Sequence, residues 1–316
     1  MADLVQFVVS GLALGSTYAL VALGFVVIYR ASKVFNFAHG ELLTFGAVLM
    51  VSLTAPPAGD FDPLALGAPM VSGLGMNFWL GLILTMAATG LLASLMERVA
   101  LRPLVGRPVF VSIIVTLFLG FLLRTVVMLL FGTDPMPLET PWGAMGFSRV
   151  GGAVLDHGSL AALVASGVAL GGFFLLIRLT RFGVAMRAAS ADQETAMAVG
   201  VPVGRVLTAA WFLAGAFAAL GGIFLGVRDA SVDMNLGFIA LRAFPAVIVG
   251  GLDSALGAVV AGLMLGVLEV LTAGYVNAAL GPLGKNLHTV LPYLVMIAFL
   301  IVRPYGLFGT KTVKRL

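Results

Sequence analysis

The chain has 316 residues, 60% of them hydrophobic and only 10% charged, where a soluble domain typically carries about a quarter charged residues; this excludes an ordinary soluble domain and indicates a polytopic membrane protein. Eighteen basic and 14 acidic residues give a formal charge of +4, but the bases punctuate apolar runs, so they mark membrane-flanking loops and not a nucleic-acid surface. With no cysteine and three histidines far apart in sequence (His39, His157 and His288), disulfides, thiol chemistry and a metal centre drop out, and no cofactor is implied.

Candidate spans lie at 4–29, 40–55, 77–96, 109–132, 159–177, 206–227, 240–251, 256–276 and 288–302. Most approach the roughly 20 residues that a helix needs to cross a bilayer, and continuous runs argue for helices over a barrel. The amino terminus "MADLVQFVV" lacks the basic start and short apolar core of a cleaved signal, so the first span is expected to be retained. Between the first two spans, "NFAHGELLTFG" places Asn36, His39 and Glu41 around Gly40. One reading is a turn on the basic side, with Asn36 capping the next helix and His39 and Glu41 solvated. The other, which the logic of broken helices favours, is a structural break with a gating role beside the translocation route.

Basic residues set the orientation. Arg30 and Lys33 follow span one, and Arg98, Arg102 and Arg107 follow span three. Arg178, Arg181, Arg187 and Arg205 follow span five, and Lys311, Lys314 and Arg315 close the chain. The alternate loops carry Asp60 and Asp62, or Asp134, Glu139 and Asp156. The expected arrangement has the amino terminus outside and the carboxyl terminus cytoplasmic. From Arg205 to Arg303 the chain must then cross an even number of times, and the fourth crossing falls to the short "ALRAFPAVIVGG" (240–251). Twelve helical residues span only about 18 Å, so a half-length helix is implied. The following "GGLDSALGA", with Gly250, Gly251 and Asp253, is either a pathway break or a glycine-rich turn at the cytoplasmic face. Gly11 and Gly15, Gly222 and Gly226, and Gly262 and Gly266 sit four apart within spans, which predicts close helix packing.

The expected fold is therefore all-α: one transmembrane domain over residues 1–316, with about eight or nine membrane helices, broken or half-length segments near 36–46 and 240–256, and pseudo-symmetric halves. Residues 178–206 form the longest cytoplasmic loop. Within it "AMRAASADQETAMAVG" favours helix, with Ser190 or Asp192 as the cap of a short helix start and Gly200 and Pro202 as its stop, which predicts a short helix–turn–helix along the cytoplasmic surface. Arg124 near mid-depth in span four needs a partner, with Glu269 in "LGVLEVL" as the candidate; otherwise each faces a polar cavity, or Arg124 snorkels to one face. "GPLGKN" (281–286) is not a nucleotide loop, since Ala279 and Asn286 stand where glycine and Ser or Thr are required, so any ATP-driven step needs another subunit.

Several blocks resemble the permease subunits of branched-chain amino acid ABC importers of the Liv type. "GLALGSTYALVALGFVVIYRASKVFNFAHGELLTFGA" (11–47) is similar to their amino-terminal signature, with "NFAHGE" the most specific part. "ERVALRPLVGRP" (97–108), "MRAASADQETAMAVGVPVGRV" (186–206), "AFPAVIVGGLDSALGAVVAGLMLGVLEVL" (243–271) and "RPYGLFG" (303–309) also fit, in the family's order. The resemblance implies a prokaryotic inner-membrane subunit paired with a second homologous permease, two cytoplasmic ATP-binding subunits and a periplasmic or extracellular substrate-binding protein. It assigns the ATPase-contacting helix to Ala188, Ala189, Asp192, Glu194, Ala198, Gly200 and Val201. Urea or short amides are alternative cargoes within the family. A stand-alone ion-coupled transporter is the alternative of another class, but it leaves the 178–206 loop without a use.

Overall fold

The computed structural model describes residues 2–56, 73–104, 106–143, 146–150, 153–280 and 284–310. Most of the glycine- and proline-rich loop 54–77, part of "GPLGKN", and Lys311, Lys314 and Arg315 lie outside the described residues. The chain forms α1 (Ala2–Ser32), α2 (His39–Thr54), α3 (Phe78–Met96), α4 (Val109–Phe131), α5 (His157–Leu179), α6 (Arg181–Ala191) and α7 (Gln193–Ala198). There follow α8 (Val203–Asp229), α9 (Leu236–Gly250), α10 (Ala255–Leu271), α11 (Asn277–Leu280) and α12 (Leu287–Val302). The strands are short: β1 (Met136–Pro137) pairs antiparallel with β4 (Ser231–Val232), and β2 (Phe147–Val150) with β3 (Ala153–Asp156). The fold is all-α and polytopic. Six helices are long and apolar enough to cross a membrane, and α2, α9 and α12 are shorter apolar helices.

Two long helices make the core. In α1 94% of the most apolar window is buried, and in α8 83%, against 22% in α4 and α5, which therefore lie on the outside of the bundle. At 31 residues α1 is about 46 Å long, more than the ~30 Å hydrocarbon thickness. It lies against α10 on small residues. A Cβ on Gly15 would meet the Leu263 Cα at 2.7 Å, and one on Gly262 the Ala19 nitrogen at 2.7 Å. Where lipid offers no hydrophobic drive, such backbone contact is what holds helices together.

The helices form an inverted repeat. Exchanging α1 with α8, α2 with α9, α3 with α10 and α4 with α12 returns the same neighbours: α1 packs on α10 as α8 packs on α3, and α4 covers α2 as α12 covers α9. Both third helices end in a π-helical turn, Glu97–Leu101 after α3 and Thr272–Val276 after α10. Each carries a buried glutamate that accepts a hydroxyl hydrogen from the first helix of the other half. Thr208 donates to Glu97 at 2.7 Å, and Tyr18 to Glu269 at 2.9 Å. The linker helices α5, α6 and α7 stand outside the repeat.

The half-length helix is α9, but the break that mirrors 33–38 precedes it, at 230–235. Of the two readings of "GGLDSALGA", the glycine-rich turn is the one that forms: it joins α9 to α10, and Gly251 (φ +105°) lets the chain reverse. Gly250 and Gly251 pack there against the "RPYGLFG" segment, with Leu307 and Phe308 donating to the Val249 and Gly250 carbonyls at 2.8 and 3.1 Å, and Asp253 accepts from Thr310.

Gly15→Leu should drive α1 and α10 apart, at the 1–3 kcal/mol typical of overpacking or more. Gly167→Leu on α5, where a new Cβ has nothing within 4 Å, should not. Thermal melting of the purified protein should separate the two by several degrees.

Candidate translocation site and coupling surface

The backbone between α1 and α2 leaves the helix at Ser32 and re-enters it at His39, deep in the bundle. Its polar groups must be satisfied from within the protein, because lipid offers no partner. Lys33 takes a left-handed conformation (φ +57°), and Ser32 Oγ accepts from the Val34 N–H at 3.3 Å. From α4, Thr116 Oγ1 accepts from the Phe37 N–H at 3.3 Å and lies 3.4 Å from the Phe35 carbonyl. Asn36 Oδ1 accepts from the Ala38 N–H at 3.1 Å, folding the last residues into a tight turn. Ala38 abuts Gly120, the midpoint of α4, so α2 starts near mid-depth. Asn36 and His39 are buried, and His39, 0% exposed, stacks its ring 4.4 Å from that of Phe25. The turn on the basic side with solvated His39 and Glu41 does not form. Asn36 serves the turn, and the residue that precedes α2, Ala38, makes no side-chain cap.

The second break repeats the first with other partners. Ala230 turns left-handed (φ 52°), Ser231 and Val232 pair with β1 in the loop after α4, and Asn235 N–H donates to Asp233. α9 then begins beside the start of α2. A Cβ on Gly40 would come within 2.5 Å of the Gly237 carbonyl, so the two helix N-termini touch only because both residues are glycine. Each N-terminus carries about half a positive charge. At their meeting point Arg124 of α4 lies 3.3 Å from Glu41 and donates to Asn235 Oδ1 at 3.1 Å, with its guanidinium 5.0 Å from the Phe238 ring centre.

This corrects the expected Arg124–Glu269 pairing. Arg124 neither pairs with Glu269 nor snorkels. Glu269 instead faces Arg242 at 3.8 Å and Tyr18, in a separate cavity of 250 Å³. Glu41, without Arg124, lines a cavity of 350 Å³, floored by Gly40 and Gly237 and walled by Phe25, Phe35, Phe37, Phe121 and Phe244. It opens on the subunit's flank, where Phe121 and Phe238 are 65% and 56% exposed. Gly237, Asn235, Phe238 and Thr116 escape the sequence reading. A signal for Gly237 and Asn235 exists in "YRASKVFNFAHG" (29–40) and "VRDASVDMNLG" (227–237), two segments that each run from an arginine through Ala–Ser to an asparagine and a closing glycine.

On the basic face the 178–206 loop holds two short helices, the helix–turn–helix that the sequence predicts. Asp192 ends α6 and caps α7, accepting from the Thr195 N–H at 3.0 Å. Those hydrogen bonds from Thr195 hold its carboxyl below the usual range. Ala188 and Ala189 thus belong to α6, with Ala189 buried. Glu194, Ala198 and Gly200 are exposed on and after α7. Gly200 (φ +85°) and the Val201 N–H, which donates to the Ala196 carbonyl at 2.9 Å, close α7 with a left-handed turn. Exposed Met197 and Val199 add an apolar edge. Gln193 donates to the Ala31 carbonyl at 2.7 Å, which ties α7 to α1 just before the first break.

The model of the family described as branched-chain amino acid transport system / permease component matches residues 7–300. The chain belongs to this permease family. The permease protein BraD of the high-affinity branched-chain amino acid transport system of Pseudomonas aeruginosa is 29% identical over 317 residues, covering 98% of this chain and 97% of that protein. The permease protein LivH of Escherichia coli is 28% identical over 318 residues, with 98% and 97% covered. The LivH permease protein of Methanocaldococcus jannaschii is 29% identical over 306 residues, with 94% and 90% covered. No solved structure matches the chain at comparable significance.

Thr116→Val keeps the shape of this permease's α4 and removes the acceptor of the Phe37 N–H, a loss of about 1–3 kcal/mol where water cannot replace it. The melting temperature should fall, whereas Thr125→Val, whose hydroxyl bonds only its own helix at Phe121, should leave it within error.

Proposed function

We propose that this chain is the membrane permease subunit of an ATP-binding-cassette importer for branched-chain or other hydrophobic amino acids. It acts with a second homologous permease, two ATP-binding subunits and an external substrate-binding protein, and performs no chemistry itself. The observation that carries the reading is the meeting of two half-helix N-termini over the Glu41–Arg124 pair beneath an aromatic cavity. A hydrophobic amino acid has an apolar side chain, a carboxylate and an ammonium. The phenylalanine walls suit the first, the two N-termini at Gly40 and Gly237 the second, and Glu41, which Arg124 holds in place, the third. The cavity opens on a flank that the second permease would cover, so the route runs between the two subunits.

In this reading the face bearing Arg30, Arg102, Arg107 and the 178–206 loop is cytoplasmic, by the excess of basic residues there. The amino terminus is then outside, in a prokaryotic inner membrane. The exposed edge Glu194–Val199 enters the ATPase groove. Closure of the ATPases pushes α7, and Gln193 passes the displacement to the end of α1 and so to the break at 33–38. Asn36, His39, Gly40 and Glu41 are then gating residues that hold the start of α2. Gly250, Gly251 and Asp253 act as the anchor of α9 on the cytoplasmic side, not as a lining of the route.

The test is uptake into proteoliposomes by the complex of both permeases, the ATPases and the binding protein. Labelled leucine should accumulate only with ATP. Arg124→Gln should cut the initial rate at least tenfold, with the complex still assembled and hydrolysing ATP; uptake by the lone permease, or full activity in Arg124→Gln, would sink the proposal. Accumulation of urea or acetamide in place of leucine would move the cargo to the short amides. Asp192→Ala, which removes the cap of α7, should reduce uptake per ATP hydrolysed several-fold, and Asp192→Asn should restore it.

A further inference from the structure

A second built cavity, of 120 Å³, lies on the basic face, remote from the Glu41–Arg124 pair. It sits under the π turn that ends α3, and Glu97, Arg102, Arg107, Gln193, Leu207 and Trp211 line it. Glu97 is its centre. That carboxylate is buried, and Oε2 accepts from Thr208. Oε1 has no hydrogen bond and only the Arg102 Nε at 3.5 Å. Arg102 is already engaged, donating to the Gly204 carbonyl at 2.7 Å. Arg107, by contrast, is exposed at the rim, and Leu207 and Trp211 supply an apolar wall. The inverted repeat places the same construction on the opposite face, where Glu269 and Arg242 share a cavity.

We infer that the Glu97 cavity is a regulatory site for a small aliphatic α-amino acid on the ATPase side. The chemistry selects the ligand. A bare cation entering toward Glu97 meets two arginines, and a bare anion drawn to Arg107 meets a buried carboxylate. A zwitterion satisfies both, its ammonium donating to Glu97 Oε1 and its carboxylate accepting from Arg107. The apolar wall takes a short side chain and offers nothing to an inorganic ion. Gln193 connects the site to transport, because it both lines the cavity and fastens α7 to Ala31. An occupant bridging Arg107 and the root of α7 opposes the movement that the ATPases impose. The role rests on the proposed function, under which the occupant is the imported product and the effect is feedback inhibition.

The experiment has two arms on the complete complex. In the first, tritiated L-valine is bound to the detergent-solubilised permease–ATPase complex without binding protein. Unlabelled valine should compete, whereas isovalerate, lacking the ammonium, and isobutylamine, lacking the carboxylate, should not. Arg107→Gln should remove the valine that Arg124→Gln leaves bound. In the second, valine is supplied on the ATPase side of proteoliposomes. It should inhibit ATP hydrolysis stimulated by the binding protein, and Arg107→Gln should raise the half-inhibitory concentration at least tenfold while activity without valine stays unchanged. Wild-type inhibition in Arg107→Gln, or bound valine that is lost in Arg124→Gln and kept in Arg107→Gln, overturns the site. Arg107-dependent binding in a complex that imports no amino acid keeps the site and refutes the cargo.

Discussion

The constraint on which this structure depends is that non-helical backbone inside a membrane must find its hydrogen bonds in protein. Two segments break that rule locally, 33–38 and 230–235, and the rest of the molecule is arranged to supply them. Thr116 reaches from α4 into the first. The loop after α4 extends β1 to pair with the second. One helix and its trailing loop thus serve both breaks. This explains why α4 carries a threonine and a glycine on one face in an otherwise lipid-facing sequence. With that support the chain can end two helices at mid-depth, which creates the paired N-termini and the polar centre that a continuous helix would lack.

The inverted repeat follows from the same economy. Each half needs a long first helix, a break, a half-helix, a returning helix and a covering helix, and two such units interlock because α1 packs on α10 while α8 packs on α3. The glycine at each contact differs in role. Gly15 and Gly262 allow long helices to lie close along their length, whereas Gly40 and Gly237 let two helix ends meet. The repeated glutamates, Glu97 and Glu269, fasten a returning helix to the first helix of the opposite half through a hydroxyl. Each lies beside an arginine, Arg102 or Arg242, and each pair lines a cavity on one face of an apolar body.

The helices were legible because the apolar runs are long and the bases between them few. The first break was legible because Asn36, His39 and Glu41 stand out against oil. The second was not, since "GGLDSALGA" is richer in glycine than "DASVDMNLG" and drew the break to a turn. Its true position depends on β1, almost a hundred residues earlier, which local pattern cannot reveal. Arg124 announced the need for a partner but not which one. Glu41 is 83 residues away, and the choice follows from α2 running alongside α4. The helix–turn–helix of the 178–206 loop was legible because Asp192 was a candidate cap, and its side chain satisfies Thr195 better there than it could in a helix interior.

The arrangement also explains why movement at the surface can be felt at mid-depth. Helices transmit displacement as rigid rods, and extended segments absorb it. In the proposed coupling, a push on α7 would reach the Ala31 carbonyl through Gln193 and arrive where α1 gives way to 33–38. That segment is held chiefly by Thr116, Ser32 and Asn36, so it yields more readily than the buried helix above it. Its far end is the start of α2, which touches α9 through Gly40 and Gly237 and grips α4 through Glu41. Displacement of one break therefore disturbs the Arg124 contacts to both Glu41 and Asn235, and through them both halves of the repeat. A stiffer connection at 33–38 would carry the push into α2 as a whole and leave the polar centre intact, so the discontinuity is what localises the response.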